Sequence, residues 1–102
     1  MDENLEKPAN DDFIPPIPDF SFFITTLALQ ASVSLGVVEN PATNKKELNL
    51  PQAKFLIDTI GMLQEKTKGN LTEEETKLLD GILYELRLNY VSQTKEGAKG
   101  VT

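Results

Sequence analysis

The chain has 102 residues, enough for one domain and one modest core. It contains no Cys and no His, which excludes disulfides, thiol nucleophiles, His-based triads and the usual zinc sites. Its net charge of −6 is concentrated in residues 1–19, which carry one Lys against six acids, so no basic stripe is left to neutralise phosphates and nucleic-acid binding is disfavoured.

Residues 1–18 combine acidic residues, Asn and four of the six prolines. Such a stretch buries too little apolar surface to offset its ordering entropy, so an extended or disordered tail is expected. Within it, Phe13-Ile14-Pro15-Pro16-Ile17-Pro18 sets three apolar side chains in a polyproline-like segment that can dock on a surface, in the same chain or in a partner. No positively charged segment followed by an apolar signal-peptide core is present, and no apolar run approaches the roughly 20 residues of a membrane-spanning helix. A cytoplasmic protein with no membrane association is the expectation.

The single folded domain is expected over residues 19–92, as an all-α unit of three helices. The first spans about 21–35, with Asp19 or Ser21 to cap its start and Gly36 to end it. Phe20, Phe23, Ile24, Leu27, Ala28, Ala31 and Leu35 fall on one face at helical spacing. Phe22, Leu29 and Val33 form a second apolar stripe, and no charged residue occurs from 20 to 38. A helix apolar on nearly every side is covered on more than one side. Residues 37–49 hold the connection, with an Asn40-Pro41 turn signal and a polar run from Thr43 to Glu47, and their length suggests a crossover rather than a tight return.

The second helix is expected over 50–67. Asn49 caps it, Pro51 is tolerated in its first turn, and Ala53, Leu56, Ile57, Ile60 and Leu63 point inward. Lys66 and Lys68 suit the negative end of a helix dipole, and Gly69 suits the left-handed position beyond it. Thr72 and Glu75 have the spacing of a capping box for a third helix over 73–92, with Glu73 to Glu75 at its positive end. Its main face is Leu79, Ile82, Leu83, Leu86 and Tyr90. Leu78, Tyr84, Leu88 and Val91 form a second, and residues 93–102 are expected to fray.

The turn near residue 70 predicts an antiparallel hairpin of the last two helices, pairing Leu63 with Leu79 and Ile60 with Ile82. This register sets Gly61 level with Gly81, as for close backbone approach, and brings Asp58 near Arg87 for a cross-helix ion pair. Three helices cannot cover every apolar stripe. Phe22, Leu29 and Val33 would stay exposed, joined by Leu88 or Val91, unless the chain self-associates or the segment Phe13 to Pro18 folds over the stripe within one chain. A two-fold homodimer is the simplest resolution.

No metal, cofactor or catalytic constellation is legible. Glu73, Glu74 and Glu75 point in different directions from consecutive helix positions, so they cannot converge on one cation. A non-catalytic interaction or adaptor protein is therefore expected, with a module that captures a small apolar ligand between helices as the alternative, lined by Phe22, Phe23, Leu29 and Met62. An enzyme is disfavoured.

Leu50, Ala53, Ile57-Asp58, Gly61-Met62-Leu63, the run Glu65 to Thr72, Glu74-Glu75, Leu78-Leu79 and the run Leu83 to Arg87 resemble the signature of a small bacterial family, domain of unknown function 1844. The resemblance extends upstream through Phe20, Leu27-Ala28, Ala31, Leu35-Gly36 and Asn40-Pro41, and covers about residues 15–91. Its most specific part is Lys66-Thr67-Lys68-Gly69-Asn70-Leu71-Thr72. It implies a small bacterial helical protein and carries over no catalytic residue and no ligand.

Overall fold

The computed structural model describes the backbone of residues 14–101 and the side chains of residues 14–94. Within that span the chain forms α1 (Phe20–Ser34), α2 (Leu50–Lys66) and α3 (Glu73–Val101), with no strand among the described residues. Phe13 and most of the expected N-terminal tail lie outside the described residues; Ile14 to Asp19 are non-helical and exposed.

Each helix start is fixed by a side chain that satisfies a backbone donor lacking an intrahelical partner. The Phe22 amide donates to the Asp19 carboxylate at 2.9 Å and the Gln52 amide to Asn49 Oδ1 at 3.1 Å. At α3 the capping box is complete: the Glu75 amide donates to Thr72 Oγ1 at 3.1 Å, and the Thr72 amide donates to Glu75 Oε1 at 2.8 Å. Gly36 and Gly69 stand just beyond α1 and α2 with φ of +74° and +87°, a region costly for residues with a Cβ.

All three helices pack against one another. Ile24 and Ala31 of α1, Leu35 just beyond its end, Ala53, Leu56, Ile57 and Ile60 of α2, and Leu79, Leu83 and Leu86 of α3 form the buried core. Fully burying an aliphatic side chain of this size contributes about 1.5–3 kcal/mol. Phe23, expected inside, is half exposed. At 3.6 residues per turn it stands about 100° from Ile24, which marks the centre of the buried face. Tyr84 is more exposed still, at 64%.

Contacts between α2 and α3 run in opposite residue order. Gln64 donates to Asp80 at 2.6 Å near the turn, while Lys54, Ile57 and Asp58 share a cleft with Arg87, Tyr90 and Val91 further along. Two expectations drawn from the register need correction. A Cβ at Gly81 would meet no atom within 4 Å, and one at Gly61 would meet only the Arg87 guanidinium, at 3.1 Å, so neither glycine serves close backbone approach. Asp58 and Arg87 line one cleft without closing an ion pair: Asp58 instead takes Lys54, one helical turn earlier, at 2.6 Å. The intrahelical partner wins because both side chains already share a face, whereas Arg87 extends over the space left by Gly61.

The connection between α1 and α2 also departs from expectation. It returns on itself. The Asn49 amide donates to the Ser34 carbonyl at 2.7 Å, and Leu35 bridges to Leu48, so the loop ends meet. Inside, Asn40 bridges to Lys45, its Oδ1 accepts from the Ala42 amide at 2.8 Å, and its Nδ2 donates to Glu47 at 3.3 Å. Thr43 donates to the other Glu47 oxygen at 3.0 Å, and Asn44 takes the left-handed turn position at φ 59°. The polar residues that read as a crossover bond to each other across a closed loop.

Helix α3 continues past the expected end at residue 92 to Val101. Lys95, Glu96, Ala98 and Lys99 are good helix formers, and extending an existing helix avoids the nucleation cost.

Candidate interaction surface

Phe22, Leu29 and Val33 lie on one stripe of α1, because seven residues and then four return to nearly the same side of a helix. Phe22 is 57% exposed and Leu29 56%, while Val33 is partly buried. Ile14 and Ile17 are 85% and 84% exposed, so the described part of the proline-bearing segment does not cover this stripe. Phe13 lies outside the described residues.

Leu29 and Val33 form one wall of a groove of about 510 Å³. The closed loop supplies Val38, Glu39 and Pro41, and α2 supplies Gln52 and Leu56. Ser34 sits in the same wall and is only 9% exposed. The helical threonines Thr26, Thr59 and Thr67 each donate to the carbonyl four residues earlier. The Ser34 hydroxyl makes no such bond, and has no hydrogen-bond partner among the described residues, although its carbonyl is taken by Asn49. Gln30, Glu39 and Gln52 are the other polar residues that line the groove. Phe22, Phe23 and Met62 are not in this groove, so the lining expected for a ligand pocket is not brought together there.

Sequence reasoning missed several parts of the exposed apolar surface. Phe55 and Met62 lie seven residues apart on the outer side of α2 and are exposed, and so are Val37, Val38 and Leu48 of the loop. The spacing of Phe55 and Met62 was the available signal. Nothing local marked the loop residues, whose placement depends on the Leu35–Leu48 closure. Leu88 and Val91 are exposed on α3 as expected.

A hydrogen bond to Asp58, and then the charge of Asp58, holds the Lys54 amine above its ordinary value, yet both side chains are open to solvent. Near the α2–α3 turn, Gln64, Lys68, Leu71, Thr76 and Asp80 surround a depression of about 410 Å³. Its Gln64 and Asp80 are already bonded to each other, and the acidic first turn of α3 opposes an anion there. Among the described residues no group of three or more carboxylates is placed to hold a metal ion. No helix among them is long and apolar enough to cross a membrane.

Three helices, one closed polar loop and a groove between α1 and α2 define a small all-α domain whose most distinctive surface is apolar. A family model described as a domain of unknown function (DUF1844) matches residues 17–92, and the chain belongs to that family. No curated protein and no solved structure matches the chain.

Proposed function

We propose that this is a non-catalytic, self-associating interaction protein of the bacterial cytoplasm, which works through the apolar side of α1. The observation that supports this reading most is the exposure of Phe22 and Leu29 on an uncharged helix, continuous with the apolar groove. Scattered apolar residues are normal on a monomer, whereas a contiguous apolar stripe beside a groove is the usual mark of an interface. A two-fold dimer would cover the stripe of both copies at once. Sedimentation equilibrium of the full chain over a wide concentration range tests the reading: a mass rising above 11.3 kDa supports it, and a constant 11.3 kDa sinks it.

The volume of the groove favours a second reading. About 510 Å³ lies within the range of small-molecule sites, roughly 300–1,000 Å³, so a small apolar ligand is the alternative occupant. A monomeric chain whose melting temperature rises with an apolar probe such as a medium-chain fatty alcohol would favour it.

A further inference from the structure

We infer that the groove between α1 and α2 takes a neutral aliphatic molecule with one small hydrogen-bonding head, an alcohol or an amide rather than a carboxylate, seated on the Ser34 hydroxyl; this rests on the ligand reading above and names the chemistry of the occupant. Ser34 is the last residue of α1, lines the groove and is only 9% exposed. Its hydroxyl has no partner among the described residues, whereas that of Thr26, on the same helix, donates back to the Phe22 carbonyl. A buried hydroxyl in that state has given up its hydrogen bond to water without a replacement. Buried polar groups in folded proteins are normally satisfied, so Ser34 marks the point where an atom of a ligand completes the bond.

The surroundings of Ser34 define the rest of the molecule. Leu56 on the α2 side is buried, while Leu29 on α1 and Val38 on the loop are exposed. An aliphatic chain lying between them takes apolar surface out of water, and about 510 Å³ leaves room for one of medium length.

Charge sets the head. Among the residues that line the groove, Glu39 is the only ionisable one, and no Lys or Arg is present to pair with an anion. A carboxylate at Ser34 would lose its hydration with nothing to offset the cost, and Glu39 would repel it. Gln30, Glu39 and Gln52 are exposed and keep their bonds to water. Ser34 is thus the one buried polar side chain of the lining, and a head that reaches it has to be small and uncharged.

Octanol and octanoate share a chain length and differ in the head. Each is titrated at neutral pH into the isotopically labelled full-length chain and followed by amide chemical shifts, with Ser34→Ala beside the native sequence. Alanine is a good helix former and removes only the hydroxyl, and circular dichroism establishes that the variant is folded. Octanol should shift the amides of Val33, Ser34, Val38 and Leu56 and leave those of Tyr84, Leu88 and Val91, exposed on α3, in place. Octanoate should bind at least about tenfold more weakly. Ser34→Ala should weaken octanol binding about two- to tenfold, the worth of one hydrogen bond. Equal binding of octanoate, or an octanol affinity unchanged by Ser34→Ala, overturns the inference and leaves an apolar ligand site standing. Octanol shifts that are absent or not centred on the groove overturn both. Phe22 lies outside the groove, so self-association through α1 stands or falls separately, by sedimentation.

Discussion

Replacing Gly81 with alanine is expected to stabilise the protein. Gly81 lies well inside α3, where glycine costs about 0.8–1.0 kcal/mol relative to alanine through backbone entropy and poor shielding of the helix. The gain is realised only if the added methyl group has room. Here it would meet no atom within 4 Å, so there is neither a clash to subtract nor buried area to add. The expected change is therefore about 1 kcal/mol, close to the intrinsic propensity difference. For a domain of this size that raises the melting temperature by roughly 4–8 °C. Urea titration followed by circular dichroism reads it as a higher midpoint with an unchanged slope. Gly61→Ala is the internal comparison. Its methyl would sit 3.1 Å from the Arg87 guanidinium, the far end of a flexible side chain, so the gain should be smaller. Destabilisation by Gly81→Ala would instead mean that another backbone presses on Gly81, as the simple helical register suggested.

Two further experiments probe the caps and charges. Thr72→Ala removes half of the capping box and should cost about 1 kcal/mol, read from the same urea titration. A loss below a few tenths would mean that the Glu75 bond to the Thr72 amide holds the helix start without the hydroxyl. A double-mutant cycle on Asp58→Ala and Arg87→Ala should give a coupling below about 0.3 kcal/mol, because Asp58 is engaged by Lys54. A coupling near 1 kcal/mol would restore the cross-helix pair as a stabilising contact.

The helices were legible because their signals are local. Asp19, Asn49 and the Thr72–Glu75 pair each bond to a backbone amide three residues away, or to the amide that closes the box, so spacing alone identifies them. The same locality explains the errors. Lys54 lies four residues before Asp58 and is the nearer partner by sequence, whereas the cross-helix register points to Arg87. The Gly61–Gly81 expectation assumed that equal height means contact, whereas the angular position of each residue decides what it touches. The loop was misread because Asn40, Thr43 and Glu47 are individually ordinary polar residues. Only their mutual bonds, closed by Asn49 on the Ser34 carbonyl, turn them into a compact return. Phe22, Leu29 and Val33 could be found from helical spacing. Val38, Pro41 and Ser34 could not, since the loop closure and the α2 contact bring them together.

If the exposed apolar stripe of α1 is an interface between copies, making its two most exposed side chains polar should abolish self-association. Sedimentation equilibrium of the full chain beside a Phe22→Gln, Leu29→Gln variant reads this out. Both side chains are more than half exposed, so the substitutions should change the stability of the single chain by no more than about 0.5 kcal/mol each. The expected result is a concentration-dependent mass above 11.3 kDa for the native sequence and 11.3 kDa for the folded variant. A native chain that stays at 11.3 kDa at every concentration, or a variant that associates as strongly as the native sequence, would contradict it.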